Sequence, residues 1–325
     1  VSSQPRYHVG LDVGGTTMKA GVVDDAGLPL SAVSLPTEAH RGPEAGLDRM
    51  AEAIRRATAA AGLTLDQVAS VGVAPAGLLD LAAGVLLEST NMPSWRDVPV
   101  RDQIAARFGK PTALQNDANA AALGEAWAGA GKGASSMVLF TLGTGVGGGI
   151  VLDGKVVEGR HSHAAELGHV MLQTTGGRPC ACGRTGCLEA YASATAVVKR
   201  ATEALAAGAP SALRGAGGLT ARDVFDAAAR GDELAGRIVE ETAYYLAVGS
   251  VNVMHTLNPQ MVVFGGGMIA AGEEFLARIR CHVRALAFPV PAARTEVCYA
   301  QLGGDAGFIG AAACGRQLCR GGVPA

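Results

Sequence analysis

Two stretches more than a hundred residues apart follow one plan. LDVGGTTMKAGVVDDAG (11–27) and TLGTGVGGGIVLDG (141–154) each run from an apolar strand through a Gly/Thr turn to a second apolar strand, then Asp and Gly. Each reads as a β-hairpin with glycines where the turn requires unusual backbone angles. Successive backbone N–H groups in such a turn form a concave anion site, and Thr16, Thr17 and Lys19 add hydroxyls and a positive charge. Asp12, at the end of its strand, could hold a magnesium ion through water. A plain Gly-rich hairpin is the bland reading of either stretch alone. Duplication suggests two similar halves closing on one polyphosphate.

Other nucleotide folds are excluded by context. Gly143 to Gly148 satisfies G-x-G-x-x-G, but a dinucleotide fingerprint needs a helix directly after the glycines. Here they lead into Ile150-Val151-Leu152 and a turn at Asp153-Gly154. No Gly-Lys-Ser/Thr follows, so a Walker loop fails as well. A third cluster, Gly265-Gly266-Gly267, follows the strand 261–264 and precedes a helix carrying Phe275, Ile279, Val283 and Leu286. That places backbone N–H groups at a helix start, suited to a nucleotide's sugar or phosphate.

Between the hairpins lies LQNDANAAALGEAW (114–127), which sets Asn116 and Asp117 at the mouth of a helix. Both residue types are favoured N-caps, so capping alone could account for them. Around this stretch the chain alternates: an amphipathic helix over 45–61, a buried strand over 68–74 ending at Pro75-Ala76-Gly77, and a polar loop at 88–95 anchored by Trp95. A helix over 101–108 and a strand over 111–115 follow. Strands alternating with helices indicate an α/β architecture. Farther on, 200–219 reads as a surface excursion, Thr220-x-x-Asp223 as a capping box and 233–255 as a long helix. An apolar helix over 305–319 has no partner nearby in sequence.

Residues 164–191 hold the densest chemistry. His169, Cys180, Cys182 and Cys187 could supply one nitrogen and three thiolates to a tetrahedral, structural zinc. A satisfied histidine with free cysteines, or a disulfide, is the alternative; Cys-x-Cys-x4-Cys among glycines favours metal. Glu166 and Glu189 bracket this knot, as surface carboxylates or as part of a polar ligand site. His161 and His163 read as a solvent-exposed loop.

At 325 residues, with 17% charged residues and a net charge of −2, the composition gives no sign of nucleic-acid or membrane affinity. Together with the lack of a signal-peptide core in VSSQPRYHVG, this gives the expectation of a cytoplasmic protein.

These motifs together resemble the ROK family of sugar kinases and repressors, within the sugar kinase, heat-shock protein and actin superfamily. The matching segments are DVGGTTMKAG (12–21), GVAPAGLLD (72–80), NDANAAALGE (116–125), TLGTGVGGGI (141–150), ELGH (166–169), CACGRTGCLE (180–189) and FGGGM (264–268). The resemblance implies an actin-like, ribonuclease H-like α/β fold of two domains with a cleft between them. It implies a small domain, 1–115 plus 305–325 with the returning C-terminal helix, and a larger one, 116–304, with the zinc-binding loop.

Within the family the likeness is to members that phosphorylate glucose with ATP. By that resemblance Asp117 is the general base at the sugar's 6-hydroxyl, and Gly77, Asn91, Asn116, Glu166, His169 and Glu189 bind the sugar. Asp12, Gly14, Gly15, Thr16, Thr17, Lys19, Gly143, Thr144, Gly145, Gly265 and Gly266 fall to the nucleotide and its magnesium. His169, Cys180, Cys182 and Cys187 match the family's zinc ligands, and a homodimer is usual. Ala76, Ser94 and the Arg160–His163 segment depart from the usual pattern on loops expected near the sugar. The alternatives are a kinase for N-acetylmannosamine, mannose, fructose, allose or a cyclitol, or a non-catalytic sugar-responsive regulator. A repressor is expected to carry a DNA-binding extension before the first hairpin; here the hairpin begins by residue 9.

Overall fold

The computed structural model describes residues 6–215 and 218–321, so the extreme ends of the small-domain expectation and part of the 200–219 excursion lie outside the described residues. The chain divides into two compact units: 1–135, 149–165 and 301–325 form the first, 136–148 and 166–300 the second.

The first unit opens with β1 (Tyr7–Val13) and β2 (Thr17–Asp24), antiparallel with Asp12 opposite Lys19. β3 (Val33–Pro36) pairs with β2. Helix α1 (Pro43–Ala60) starts two residues before its expected position because Pro43 fills the first helical turn, where its missing N–H costs nothing. Its apolar face buries Leu47, Met50, Ile54 and Ala57. β4 (Val68–Pro75) runs parallel to β1, and a small antiparallel sheet follows from β5 (Leu78–Asp80), β6 (Val85–Glu88) and β7 (Arg96–Val98). After α2 (Val100–Phe108), β8 (Thr112–Leu114) completes the main sheet in the order β3-β2-β1-β4-β8.

Val9, Leu11, Val13, Ile54, Val71 and Ile104 form one core on this sheet, and Trp95 is its largest fully buried side chain. The Trp95 ring occupies the space that a side chain on Gly46 of α1 would fill. Truncating Ile54 to Ala in such a core costs about 2–5 kcal/mol.

Helix α3 (Asp117–Ala128) follows, and the chain then enters the second unit with β9 (Ser136–Leu142). β10 (Val146–Leu152) carries it back into the first unit, where β11 (Lys155–Val156) pairs with its end. The second unit continues with α4 (Glu189–Ala192), α5 (Ala194–Ala206), α6 (Ala221–Ala229) and α7 (Glu233–Leu257). Thr220 and Asp223 form the expected capping box at α6. β12 (Met261–Gly265), α8 (Gly272–Leu286), α9 (Pro289–Arg294) and β13 (Glu296–Tyr299) complete this unit, with β9, β12 and β13 parallel in that order.

The orphan C-terminal segment is α10 (Ala306–Cys319), and it packs in the first unit against β1, β4 and α3. Backbones meet directly there: a β-carbon on Gly10 would lie 1.7 Å from Phe308 O, and one on Gly310 would lie 1.6 Å from Ala120 O. This packing draws α3 into the first unit, so the division falls after residue 135 and not at the expected 115/116 boundary. Segment 149–165 joins it there. Among the described residues no helix is long and apolar enough to cross a membrane.

Candidate active site

In the first unit the glycine turn joins β1 to β2. Gly14 N–H donates to Thr17 O at 3.0 Å, and Thr37 Oγ donates to Gly14 O at 2.6 Å. Neither Gly14 nor Gly15 has a positive φ, contrary to the expectation of unusual backbone angles. Proximity explains Gly15: a β-carbon there would lie 2.7 Å from both the Cβ and the carbonyl oxygen of Asn91. Asn91 itself is exposed, as are Thr16 and Thr17. Lys19 is engaged inside the unit, where its ammonium pairs with Asp305 and donates to Gly304 O at 3.2 Å. Its charge is thus paired with a carboxylate of the same unit.

Asp12, beside this turn, is pushed up to about 7, by burial first and by the Asp117 charge second, with Lys19 in partial opposition. Two carboxylates close enough to affect each other are a hard-oxygen donor pair of the kind magnesium takes. Asn116 is the N-cap of α3: its side-chain oxygen accepts from Ala118 N–H at 3.0 Å and Asn119 N–H at 3.2 Å. Asp117 is therefore the first residue inside the helix, and its carboxylate also accepts from Ala118 N–H, at 2.9 Å. The Asn116 side-chain amide reaches Gly77 O at 3.4 Å. Gly77, at φ 146, holds a conformation that favours glycine, and a side chain there would strike Glu88 O at 2.5 Å.

The second unit holds the other glycine turn. Gly143 N–H donates to Gly145 O at 3.0 Å, and Gly143 O accepts from Ala194 N–H at the start of α5. Gly143 and Gly145 also lack positive φ. Val146 N–H, the next donor, goes to Glu189 Oε2 at 3.0 Å. Glu189 Oε1 accepts from Cys180 Sγ at 3.4 Å, so one carboxylate ties the turn to the cysteine loop. Glu166 is exposed at the entry to a single 3₁₀ turn ending at His169, which is also exposed.

His169, Cys180, Cys182 and Cys187 converge, their donor atoms all lying within 4.8 Å of one another. Cys182 and Cys187 sulfurs are 3.7 Å apart, and Cys180 Sγ is 3.8 Å from His169 Nδ1. Ligands of a tetrahedral zinc bound at about 2.3 Å are separated by about 3.8 Å, so the donor set fits. None of the seven cysteines forms a disulfide. Burial pushes the Cys180 thiol up to about 12 and raises that of Cys187, whereas a hydrogen bond from the Arg184 backbone lowers Cys182. Tyr191, not anticipated from sequence, pins this loop: its hydroxyl accepts from Arg178 N–H at 2.8 Å and donates to the Gln173 side chain at 2.9 Å.

Gly265 ends β12, and Gly266 at φ 86 would drive a side chain to 2.4 Å from Leu142 O. A 3₁₀ segment, Gly267–Ala271, intervenes before α8, so the glycines do not open that helix directly as expected. Within this unit a 340 Å³ cavity is bounded by Gly143 and Thr144 at one side, Gly267 and Met268 at another, and Arg222, Phe225 and Asp226 of α6. The α6 residues were not legible beforehand. The capping box marked their helix, but nothing local showed which cavity the helix would line.

The sequence of residues 8–317 matches the ROK family model. The chain belongs to the ROK family. It is 40% identical to a glucokinase of Halalkalibacterium halodurans over 94% of this chain and 93% of that protein. Among solved structures, a ROK hexokinase from Thermus thermophilus superposes with a TM-score of 0.85 at 35% identity, covering 97% of this chain and all of that one. A ROK glucokinase from Streptomyces griseus, solved with glucose and AMPPNP, gives 0.79 at 36% identity, covering 96% and 99%. The actin-like two-domain α/β fold expected from the sequence is the fold of this ROK protein.

Proposed function

We propose that this ROK protein is an ATP-dependent hexose kinase that phosphorylates the 6-hydroxyl of glucose. The observation that carries the reading is the cavity in the second unit, where the Gly143–Thr144 turn forms one wall, Phe225 and Met268 give apolar surface, and Arg222, Asp226, Glu274 and Arg278 bring charge. A phosphate-type turn beside a largely apolar chamber suits a nucleoside triphosphate, its base in the chamber. The sequence kinship to the glucokinase of H. halodurans, and the likeness to the S. griseus enzyme that binds glucose and AMPPNP, support the same donor and acceptor.

In this reading Asp117 takes the proton from the 6-hydroxyl as that oxygen attacks the γ-phosphorus, and ADP leaves with the bridging oxygen. We assign Gly77, Asn91, Asn116, Glu166, His169 and Glu189 to the sugar's hydroxyls. The phosphates fall to Gly14, Gly15, Thr16, Thr17, Gly143, Thr144 and Gly145, and the adenosine to Gly265 and Gly266. Asp12, with Asp117 beside it, would hold magnesium, which when bound neutralises phosphate charge. His169, Cys180, Cys182 and Cys187 would hold a structural zinc, and we propose that the protein works as a cytoplasmic homodimer.

The test is a coupled ADP-release assay with ATP and magnesium across glucose, mannose, N-acetylmannosamine, fructose, allose and a cyclitol, repeated with polyphosphate as donor. Turnover highest on glucose with ATP is expected. Sugar-independent ADP release, or no turnover on any sugar, refutes the reading.

A further inference from the structure

Behind Asn116 and Asp117 lies a partly buried relay. Gln115 is 3% exposed, and its side-chain oxygen accepts the Asn116 backbone N–H at 2.9 Å. Its amide nitrogen donates to Glu158 Oε1 at 2.8 Å. Glu158 lies just beyond β11 in a segment that the first unit holds in place. Ala164 N–H donates to Glu158 O at 3.0 Å, and Ser162 Oγ accepts from Leu81 N–H at 3.2 Å. Asn116, on the other side, caps α3 and reaches Gly77 O. The relay thus runs from Glu158 through Gln115 to the peptide that precedes Asp117.

The chemistry of the pair gives the relay a direction. A glutamine side chain can present either its oxygen or its NH₂ to a neighbour, and only the oxygen satisfies a backbone N–H. An ionised glutamate accepts and does not donate. Glu158 therefore draws the Gln115 NH₂ to itself and leaves the oxygen facing Asn116. Without that acceptor the Gln115 NH₂ loses its partner, and only the Asn116 N–H still holds the amide, so the side chain can swing away from the start of α3. Leaving the N–H unpaired or rotating the Asn116 peptide would both move the first helical residue.

We propose that Glu158 and Gln115 are positioning residues for phosphoryl transfer, fixing the Asn116 peptide and through it the Asp117 carboxylate. The inference rests on the assignment of Asp117 as the base.

The test compares kcat, the KM for ATP and thermal stability in Glu158→Ala, Glu158→Gln, Gln115→Met and the double variant Glu158→Ala/Gln115→Met. Misplacement of a reacting group by a fraction of an ångström to one ångström predicts that Glu158→Ala lowers kcat by about 10–100-fold, with the KM for ATP within about twofold of wild type. Glu158→Gln keeps an acceptor oxygen and should stay within about threefold of wild type. Gln115→Met keeps the buried volume but loses both hydrogen bonds, so it should match Glu158→Ala. The double variant should be no worse than either single one, since all interrupt one relay.

Wild-type kcat in Glu158→Ala, a Glu158→Gln as impaired as Glu158→Ala, or additive losses in the double variant would each overturn the proposal. If Glu158→Ala does not fold, Glu158→Gln against Gln115→Met decides it. Asp117→Asn in the same assay separates the two readings. Full activity there removes the base assignment itself, whereas an inactive Asp117→Asn beside a normal Gln115→Met removes only the relay.

Discussion

Gly145 packs against Glu189: a β-carbon at position 145 would lie 2.3 Å from Glu189 Oε2. That oxygen is the acceptor for Val146 N–H. A side chain there is accommodated only if that carboxylate, the far end of a flexible side chain, moves aside. Gly145→Ala should force Glu189 aside and leave Val146 N–H unpaired, a loss of about 1–3 kcal/mol. Because Glu189 is assigned to the sugar, the KM for glucose should rise together with that for ATP. A glucose KM unmoved in the folded variant would take Glu189 out of the sugar site.

Asp117→Asn retains the shape of the first helical turn and the Asn116 cap while removing the proton acceptor. The rate should fall by about 10²–10⁴. Glucose binding, followed by calorimetry, should persist in weakened form. Near-normal turnover would leave Asp117 as an ordinary first-turn acidic residue, favourable there through the helix dipole and the Ala118 N–H.

Asp12 supplies a pH dependence. Burial and the neighbouring Asp117 raise it from 3.8 to about 7. The folded chain therefore holds a proton that the unfolded chain releases above pH 3.8. Stability is unaffected below that value, falls as pH rises toward about 7, and stays reduced above it, by up to roughly 4 kcal/mol at 1.36 kcal/mol per unit. Asp12→Asn removes the penalty, so without divalent cations its melting temperature should gain on wild type between pH 4 and pH 8. A gap between the two curves that does not change with pH would show that Asp12 titrates normally.

The parts of the chain legible in sequence are those whose information is local. The β1–β2 and β9–β10 hairpins announce themselves by apolar runs around Gly/Thr turns, and the Cys180–Cys187 spacing by its chemistry. Long-range contacts are another matter. Helix α10 looked unpartnered because Gly10 and Gly310 match Phe308 and Ala120 only once distant segments meet. The same contacts explain why α3 sorts with the first unit and the boundary moved. In sequence the turn glycines suggest a requirement on φ, yet Gly15 packs against the Asn91 backbone and Gly145 against the Glu189 carboxylate. Lys19, drawn toward phosphate by its neighbours in sequence, is held by Asp305, some three hundred residues on. Glu158 and Gln115 are unremarkable polar residues until the fold brings them together.

The cysteine loop offers the last prediction. Cys180 donates to the carboxylate of Glu189 at 3.4 Å, and the ring of His169 turns Nδ1 toward Cys180, which leaves Nε2 on its other side. A metal held by the four donors would fix the His169 ring directly and, by ordering the Cys180–Cys187 loop two residues before Glu189, set where that carboxylate points, with the zinc-bound Cys180 thiolate no longer donating to it. Cys182→Ala should release zinc, measured by metal analysis of the purified protein, and weaken glucose binding by about 10–100-fold. Glu189 also holds Val146 N–H beside the second glycine turn, so ATP affinity should fall too, though by less because Ala194 N–H still holds that turn at Gly143 O. The exposed Cys281 on α8, outside the cluster, gives the control: Cys281→Ser should keep both zinc and affinities. A zinc-free wild-type preparation with full activity would end the argument. Equal loss of both affinities with a large drop in melting temperature would instead make the metal a staple for the whole second unit.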